Sequence, residues 1–493
     1  MSVCQVSKPK AAMKPRLIVV SNRLPMGDTP SGGLVVALDD VLTKSGGCWI
    51  GAHPDPGRND QLEEIPSSRY RKLAFRLTPE DVEDYYLGFS NSVLWPLCHR
   101  RVDLVSMTPS HWPTYKEVNR RLARMIASKL AADDLIWVHD YHFFPLAREL
   151  RALGVRNRIG FFLHIPFPVM SDLSILPEPQ SFADNLVDYN LIGLQTRGDV
   201  ARCLEMFRSD SRSEFLNDGT IKFQGRITSV RSFPIGIDVA GFQADARTEG
   251  PDPFGAQGAP ERFAIGVDRL DYSKGLPNRF NAFARHLELR PEGSRPCLVQ
   301  IAPPTRQDVL AYQHITEELQ GLTGRINGQF AELDWTPIRF INRSVERTRL
   351  ARLYRQADCS LVTSLADGMN LVAKEYVAVQ DPADPGVLIL SRFAGAAEDM
   401  VDALLVNPYD IEELARSIAV AFEMPLEERR ERHARCLDVV ERTDAALWSA
   451  TFLGVLASRL PMLHFPVPAM PQLGLGRISA SEAQCSHKIG TRS

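Results

Sequence analysis

Apolar positions along this chain come in short, unbroken runs. Each ends in a polar turn and leads into a stretch where apolar residues recur every three or four positions. Residues 16–21 (RLIVVS), 135–138 (LIWV), 159–163 (IGFFL) and 191–194 (LIGL) are runs of this kind. They do not alternate with polar residues, as strands covered on both faces do not. Residues 115–130 and 145–153 carry the wider period of amphipathic helices. A second series of runs, at 263–267, 298–301, 338–341, 360–363 and 387–390, repeats the rhythm. Strand and helix in alternation predict βαβ units and therefore an α/β protein with two doubly wound domains. Between the two series, residues 242–261 are rich in Gly, Pro, Ala and Asp and have no apolar period. The expected division is a first domain over 15–245, a second over 246–443 and a helix over 444–464 that packs back on the first. The ends, a flexible 1–14 and a tail at 465–493, show no periodicity.

A chain of 493 residues suits two such domains. Its net charge of -3 offers no general attraction to nucleic acid or an anionic membrane, so any anionic ligand must be met by local cations. The 8 cysteines form no C-x-x-C pair, and no apolar run has signal-peptide or membrane-spanning length. A cytoplasmic location is the expectation. His139 and His142 lack further ligands at metal-binding spacing, so no metal is expected.

Candidate chemistry sits just after the strands, where doubly wound sheets bind ligands. Arg23 follows the first run, and Gly32 and Gly33 then open a helix. Glycine allows a ligand close to the backbone and a helix start favours an anion, although an ordinary tight turn reads the same way. The run 135–138 leads into Asp140, either an acceptor for hydroxyls or a structural carboxylate. The run 159–163 leads into His164, either a substrate contact or a structural imidazole. In the second half, residues 267–275 (VDRLDYSKG) place Arg269 and Lys274 five apart on a strand exit. A planar guanidinium and a compact ammonium so spaced can grip a diphosphate, whereas a solvated surface pair would bind nothing. Arg306 follows 298–301 and can meet a second phosphate. Asp367, Gly368, Met369, Asn370, Leu371, Val372, Ala373, Lys374 and Glu375 span a strand exit and a helix start. That segment offers backbone N–H groups to a phosphate, Asp367 to sugar hydroxyls and Glu375 to a ribose.

Taken in order over residues 16–459, SNRLP, YLGFSNSVLWP, HDYH, FFLHIPFP, DRLDYSKG, APPTR, RING and DGMNLVAKE resemble the trehalose-6-phosphate synthase family. The resemblance implies a GT-B fold of two facing Rossmann-like domains. It also implies transfer of glucose with retention, usually from UDP-glucose, to glucose 6-phosphate with no required metal or other cofactor. By this likeness Arg23, Tyr86, Trp95, Asp140 and Arg306 would hold the acceptor. Gly32, Gly33, Arg269, Lys274 and the segment 367–375 would hold the nucleotide sugar, with His164 beside the transferred glucose. Arg269, Lys274, His164 and Asp140 are the expected catalytic set. The expected partners are the nucleotide sugar, glucose 6-phosphate and further copies of the chain, with neither nucleic acid nor membrane. Two departures concern the ligand entrance: residues 26–30 form a shorter loop than in many members, and 49–54 (WIGAHP) replaces a commoner Trp-Phe-Gly-Trp-Ser-Gly. They leave open ADP- or GDP-glucose as donor, or another phosphorylated acceptor such as glycerol 3-phosphate. A non-catalytic regulatory subunit that binds sugar phosphate is the competing reading from another class.

Overall fold

The structure is a computed structural model and describes residues 15–26, 33–216, 220–255, 258–306 and 308–458. The chain ends, Gly32 and residues 27–30 of the shortened loop lie outside the described residues. Among the described residues no helix is long and apolar enough to cross a membrane.

Two sheets organise the chain. The first contains β1 (Leu17–Arg23), β2 (Cys48–Ala52), β3 (Glu63–Ile65), β4 (Arg71–Phe75) and β5 (Leu135–His139). It continues with β6 (Arg158–Phe162), β7 (Leu191–Leu194), β8 (Ser213–Phe215), β9 (Thr220–Phe223) and β10 (Arg226–Ser232), in the order β3-β4-β2-β1-β5-β6-β7-β10-β9-β8. The run from β4 to β10 is parallel, and antiparallel strands close both edges. The second sheet is wholly parallel. It contains β11 (Arg262–Val267), β12 (Pro296–Ile301), β13 (Ile338–Ile341), β14 (Cys359–Val362), β15 (Val387–Ser391) and β16 (Leu404–Val406), ordered β13-β12-β11-β14-β15-β16. The central strands are buried on both faces, which is why their sequences are unbroken apolar runs: Leu17 to Val20 and Ile136 to Val138 are all buried. In each sheet the winding reverses beside the first strand. It reverses at β1 between β2 and β5, and at β11 between β12 and β14, so a crevice opens at the carboxyl ends there.

The chain crosses between the two units at residues 233–238 and returns at 442–444. The boundary expected at residue 245 falls instead inside the helix Val239–Arg247, which packs on the second unit's helices Arg347–Gln356 and Leu371–Val379. A Pro- and Gly-rich stretch marks a loop, and here the loop follows the crossing. The expected helix 115–130 begins a turn earlier and spans His111–Ala127. Pro113 lies in its first turn, where a missing N–H costs no helical bond.

The last helix, Ala445–Ala457, returns to the first sheet and lies on β6 and β7. Asp444 caps it by accepting from the Leu447 N–H at 2.5 Å. Phe452 stacks on Trp137 at 4.7 Å between ring centroids. Gly160 and Gly193 make room for that ring: a Cβ on either would stand 2.8 or 2.7 Å from it.

Candidate active site

The two crevices face each other across one cavity of about 520 Å³. From the first unit, the ends of β1, β5 and β6 supply Arg23, Asp140 and His164. From the second, the loops after β11, β12 and β14 supply Arg269, Lys274, Arg306 and Asp367.

One wall is built by a π-helix, Val82–Leu94, running into the short helix Trp95–Cys98. The Asn91 amide donates to the Tyr86 carbonyl and the Ser92 hydroxyl to that of Leu87, both at 2.7 Å and both spanning five residues. The wider turn has a positional effect. Nine residues make about two and a half turns of an α-helix, which would set Tyr86 and Trp95 on opposite sides. They make close to two turns of about 4.4 residues in an i→i+5 helix, so both face the cavity. Arg23 donates to the Tyr86 hydroxyl at 2.9 Å. Arg306 crosses from the other unit, lies 3.8 Å from the Trp95 ring centroid and donates to the Tyr141 hydroxyl at 3.1 Å. Arg269 stands 5.4 Å from the same Trp95 centroid. Burial pushes the Tyr86 phenol up, but Arg23 and Arg306 outweigh it and hold the group below its ordinary value. Asp271 is fully buried, 3.4 Å from Arg306. Burial opposes its charge, yet Arg306 and Arg269 bring it down to about 2, so it stays ionised and balances their charge.

Asp140 pairs a half-buried charge with a strained backbone. Its φ of 77° and ψ of 168° lie where glycine is usual, at a cost of order 1–3 kcal/mol. Its carboxylate accepts from the His164 N–H at 3.2 Å. Burial raises its pKa to about 6, against the pull of the His164 and Tyr141 N–H groups and of Arg269 and Arg306. His164 is held neutral by burial, which lowers it to about 3.

On the opposite wall Lys274 pairs with Asp367 at 2.5 Å, and Asp367 also accepts from Asn370 at 3.0 Å and Ser364 at 3.1 Å. Burial opposes the Asp367 charge, but Lys274 prevails and lowers its pKa. Asn370, with φ 76°, caps the helix Leu371–Val379 by accepting the Ala373 N–H. The N–H groups of Leu371 and Val372, which line the cavity, are left outside the helix's own hydrogen bonding. The units meet here. A Cβ on Gly368 would come 2.1 Å from the His164 carbonyl oxygen, so only glycine lets the two backbones close. Beside it, the Glu398 carboxylate accepts the Arg197 and Gly198 N–H groups, each at 2.9 Å, at the start of the first unit's helix Arg197–Arg208.

The model of Glycosyltransferase family 20 matches residues 14–458. This chain belongs to glycosyltransferase family 20. It is 43% identical to the trehalose-6-phosphate synthase of Enterobacter sp. (strain 638) over 455 residues, 90% of this chain and 96% of that one. Among solved structures it is similar to the Escherichia coli trehalose-6-phosphate synthase bound with UDP-2-fluoro glucose, with TM-score 0.86, 42% identity, and 90% and 100% of the two chains covered. It is also similar to a UDP-forming α,α-trehalose-phosphate synthase of Burkholderia xenovorans in complex with glucose 6-phosphate, with TM-score 0.85, 42% identity and the same coverage. Membership of family 20 makes the chain a retaining glycosyltransferase with the GT-B fold.

The family-20 cavity gathers most of the residues singled out by sequence. Arg23, Tyr86, Trp95, Asp140, His164, Arg269, Lys274, Arg306, Asp367, Met369, Asn370, Leu371 and Val372 all line it. Gly33 opens the helix Gly33–Ser45. The rest of the expected donor segment is placed otherwise. Ala373 is fully buried and its N–H is taken by the cap. Lys374 points away, its ammonium buried and donating to the Ile235 carbonyl at 2.8 Å and the Thr443 hydroxyl at 3.1 Å. An exposed turn would have left it free, but a helix of this register buries every residue on its inner face. Glu375 does not line the cavity either; burial raises its pKa to about 7 beside Arg347 and Tyr354. Sequence reasoning passed over Tyr141 and Asp271 as spacers within quoted motifs, and position just after a strand was the signal for both. Gln195 and Ile235, which also line the cavity, carry no motif.

Proposed function

We propose that this chain moves glucose from UDP-glucose to glucose 6-phosphate with retention, forming α,α-trehalose 6-phosphate and UDP. The observation that carries the reading is the convergence of Arg23, Arg306, Arg269 and Lys274, from both units, on one cavity. A phosphorylated acceptor and a nucleotide diphosphate donor bring two anionic groups and need two sets of cations. Arg23 and Arg306, with Tyr86, Trp95 and Asp140, suit the sugar phosphate. Lys274, Arg269 and the free N–H groups of Leu371 and Val372 suit the diphosphate. The relatives point the same way, one bound with UDP-2-fluoro glucose and another with glucose 6-phosphate.

In this reading the acceptor hydroxyl approaches the face the nucleotide leaves from, and the leaving phosphate takes its proton. Charge gathering on the leaving oxygen draws Lys274 from Asp367, whose carboxylate turns to sugar hydroxyls. Because Arg269 and the N–H groups of Leu371 and Val372 already face the cavity and Lys274 needs only to leave Asp367, they stabilise the departing anion more than the bound substrate. The Gly368–His164 contact seats the units and keeps water from the donor. To test this, the purified chain is incubated with glucose 6-phosphate and, separately, UDP-, ADP- and GDP-glucose, measuring nucleoside diphosphate release and identifying the sugar. Trehalose 6-phosphate formed with UDP is the expected result. Release with another donor alone would reassign the nucleotide, and no release from any would refute the reading.

A further inference from the structure

Gln195 follows β7 by one residue, is 2% exposed and lies beside His164. Its two amide atoms have unlike partners. One is 3.0 Å from the Ile235 backbone nitrogen. A peptide N–H can only donate, so this atom is the oxygen, and the amide nitrogen is what faces His164 Nδ1 at 3.5 Å. That nitrogen has hydrogens and no lone pair to share. His164 Nδ1 is therefore an unprotonated acceptor, and the proton of the neutral ring sits on Nε2. From Nε2 it points to His139 Nδ1, 3.1 Å away, which makes that atom an acceptor and places the second ring's proton on its own Nε2. The row ends there, since the His139 Nε2 is buried without a hydrogen-bond partner among the described residues. The His139 ring lies 4.5 Å from that of Trp137, and an aromatic face is a weak acceptor.

The head of the row is equally constrained. Ile235 belongs to the segment by which the chain leaves the first unit, and its carbonyl accepts from Lys374 of the second. Lys374 also donates to Thr443, in the returning segment. The Ile235 peptide is thus gripped by Gln195 on its N–H and by Lys374 on its carbonyl. Of the two, only the Lys374 bond reaches across from the second unit.

We propose that Gln195 is a positioning residue: a one-way row of hydrogen bonds from the Ile235 N–H through Gln195 and His164 to His139 fixes His164 as the Nε2–H tautomer, leaving Nδ1 as its only acceptor. The 3.5 Å contact at Nδ1 is the longest in the row, so Gln195 sets that atom as an acceptor before substrate arrives and a sugar hydroxyl can then donate to the same lone pair. The proposal rests on the function above only in supplying that hydroxyl.

The test reads the protons directly. The full chain is labelled with ¹⁵N-histidine, the His164 and His139 signals are assigned by single substitution, and two-bond ¹H–¹⁵N correlation spectra at pH 7 distinguish bare from protonated ring nitrogens. Both rings are expected to carry the proton on Nε2. Gln195→Glu keeps an oxygen for Ile235 and offers a second to His164 Nδ1, so it should reverse the row. Both rings would then become Nδ1–H, with kcat falling at least tenfold and the KM for glucose 6-phosphate changing less than twofold. If that variant does not fold, Gln195→Met, which removes both bonds, should turn His164 into a mixture of tautomers. A wild-type His164 protonated on Nδ1 or on both nitrogens overturns the proposal, as do wild-type tautomers in the folded variant. Expected tautomers in a wild-type protein that turns over none of the donors would uphold the row and refute the function.

Discussion

Asp140 is destabilising as it stands, through its backbone angle and its half-buried charge. Its folded pKa, raised to about 6 by burial, exceeds that of the unfolded chain. Its contribution to stability is therefore present in full below about pH 4 and is lost as pH rises through 6. An asparagine side chain in its place would not titrate and tolerates positive φ better. Asp140→Asn should accordingly raise the melting temperature at pH 7.5 by about 4 °C or more. That gain should shrink toward pH 4, while the KM for glucose 6-phosphate rises; scanning calorimetry across pH and initial rates check both. For Lys274→Ala, turnover should fall by about 100- to 1000-fold, the usual cost of losing one donor to a developing anion. Stability should fall as well, because the half-buried Asp367 carboxylate loses its cation and keeps only the Asn370 and Ser364 bonds. Adding Asp367→Asn should restore the melting temperature but not the turnover, and restored turnover would remove Lys274 from the leaving-group role. The cations of this site were legible in sequence because Arg and Lys after a strand have few other uses. The strain at Asp140 was not, since φ is set by the β5 exit and its Phe162 partner and not by residue type.

At the scale of elements, the parallel strands expected from apolar runs came out almost to the residue, whereas β2, β4, β10 and β16, also parallel, went unmarked. β7, buried throughout, has the expected bounds, since a strand covered on both faces must be continuously apolar; β13 has them too, although it is a half-buried edge strand carrying Arg339. β3 and β8, polar and three residues long at sheet edges, leave no such trace. The π-helix was also invisible: its residues would serve an α-helix equally well, and only tertiary packing decides the wider turn that brings Tyr86 and Trp95 together. Helix-to-sheet contact over β6 gives a testable consequence. Gly160→Ala should cost about 1–3 kcal/mol by overpacking against the Phe452 ring edge, which a Cβ would approach to 2.8 Å. In the background of Phe452→Leu, a smaller side chain, the same change should cost less. Denaturant melts of the two singles and the double read this coupling, and strict additivity would show that Phe452 does not set the limit.

For the whole molecule, the cavity exists only while two units are pressed together, and at Gly368 their backbones meet beside the cavity. Gly368→Ala should hold them apart. Turnover should fall by about 100-fold, as misplacement of about 1 Å can cause. The melting temperature should shift little, because each unit keeps its own core. Small-angle scattering should show a larger radius of gyration with donor bound than in the wild type, and an unchanged radius would place the defect elsewhere. Two facing domains could be read from the repeated rhythm of strands; the seam between them could not, because backbone-to-backbone contact has no side chain to announce it. The returning helix carries one further consequence, in the order of synthesis. The bare strip over Gly160 and Gly193 waits for Phe452, which leaves the ribosome roughly 260 residues later, or about 13–50 s at ordinary elongation rates. The half made first is thus the half finished last, and a nascent chain stalled anywhere in the second unit carries an uncovered apolar face for chaperones and proteases to find.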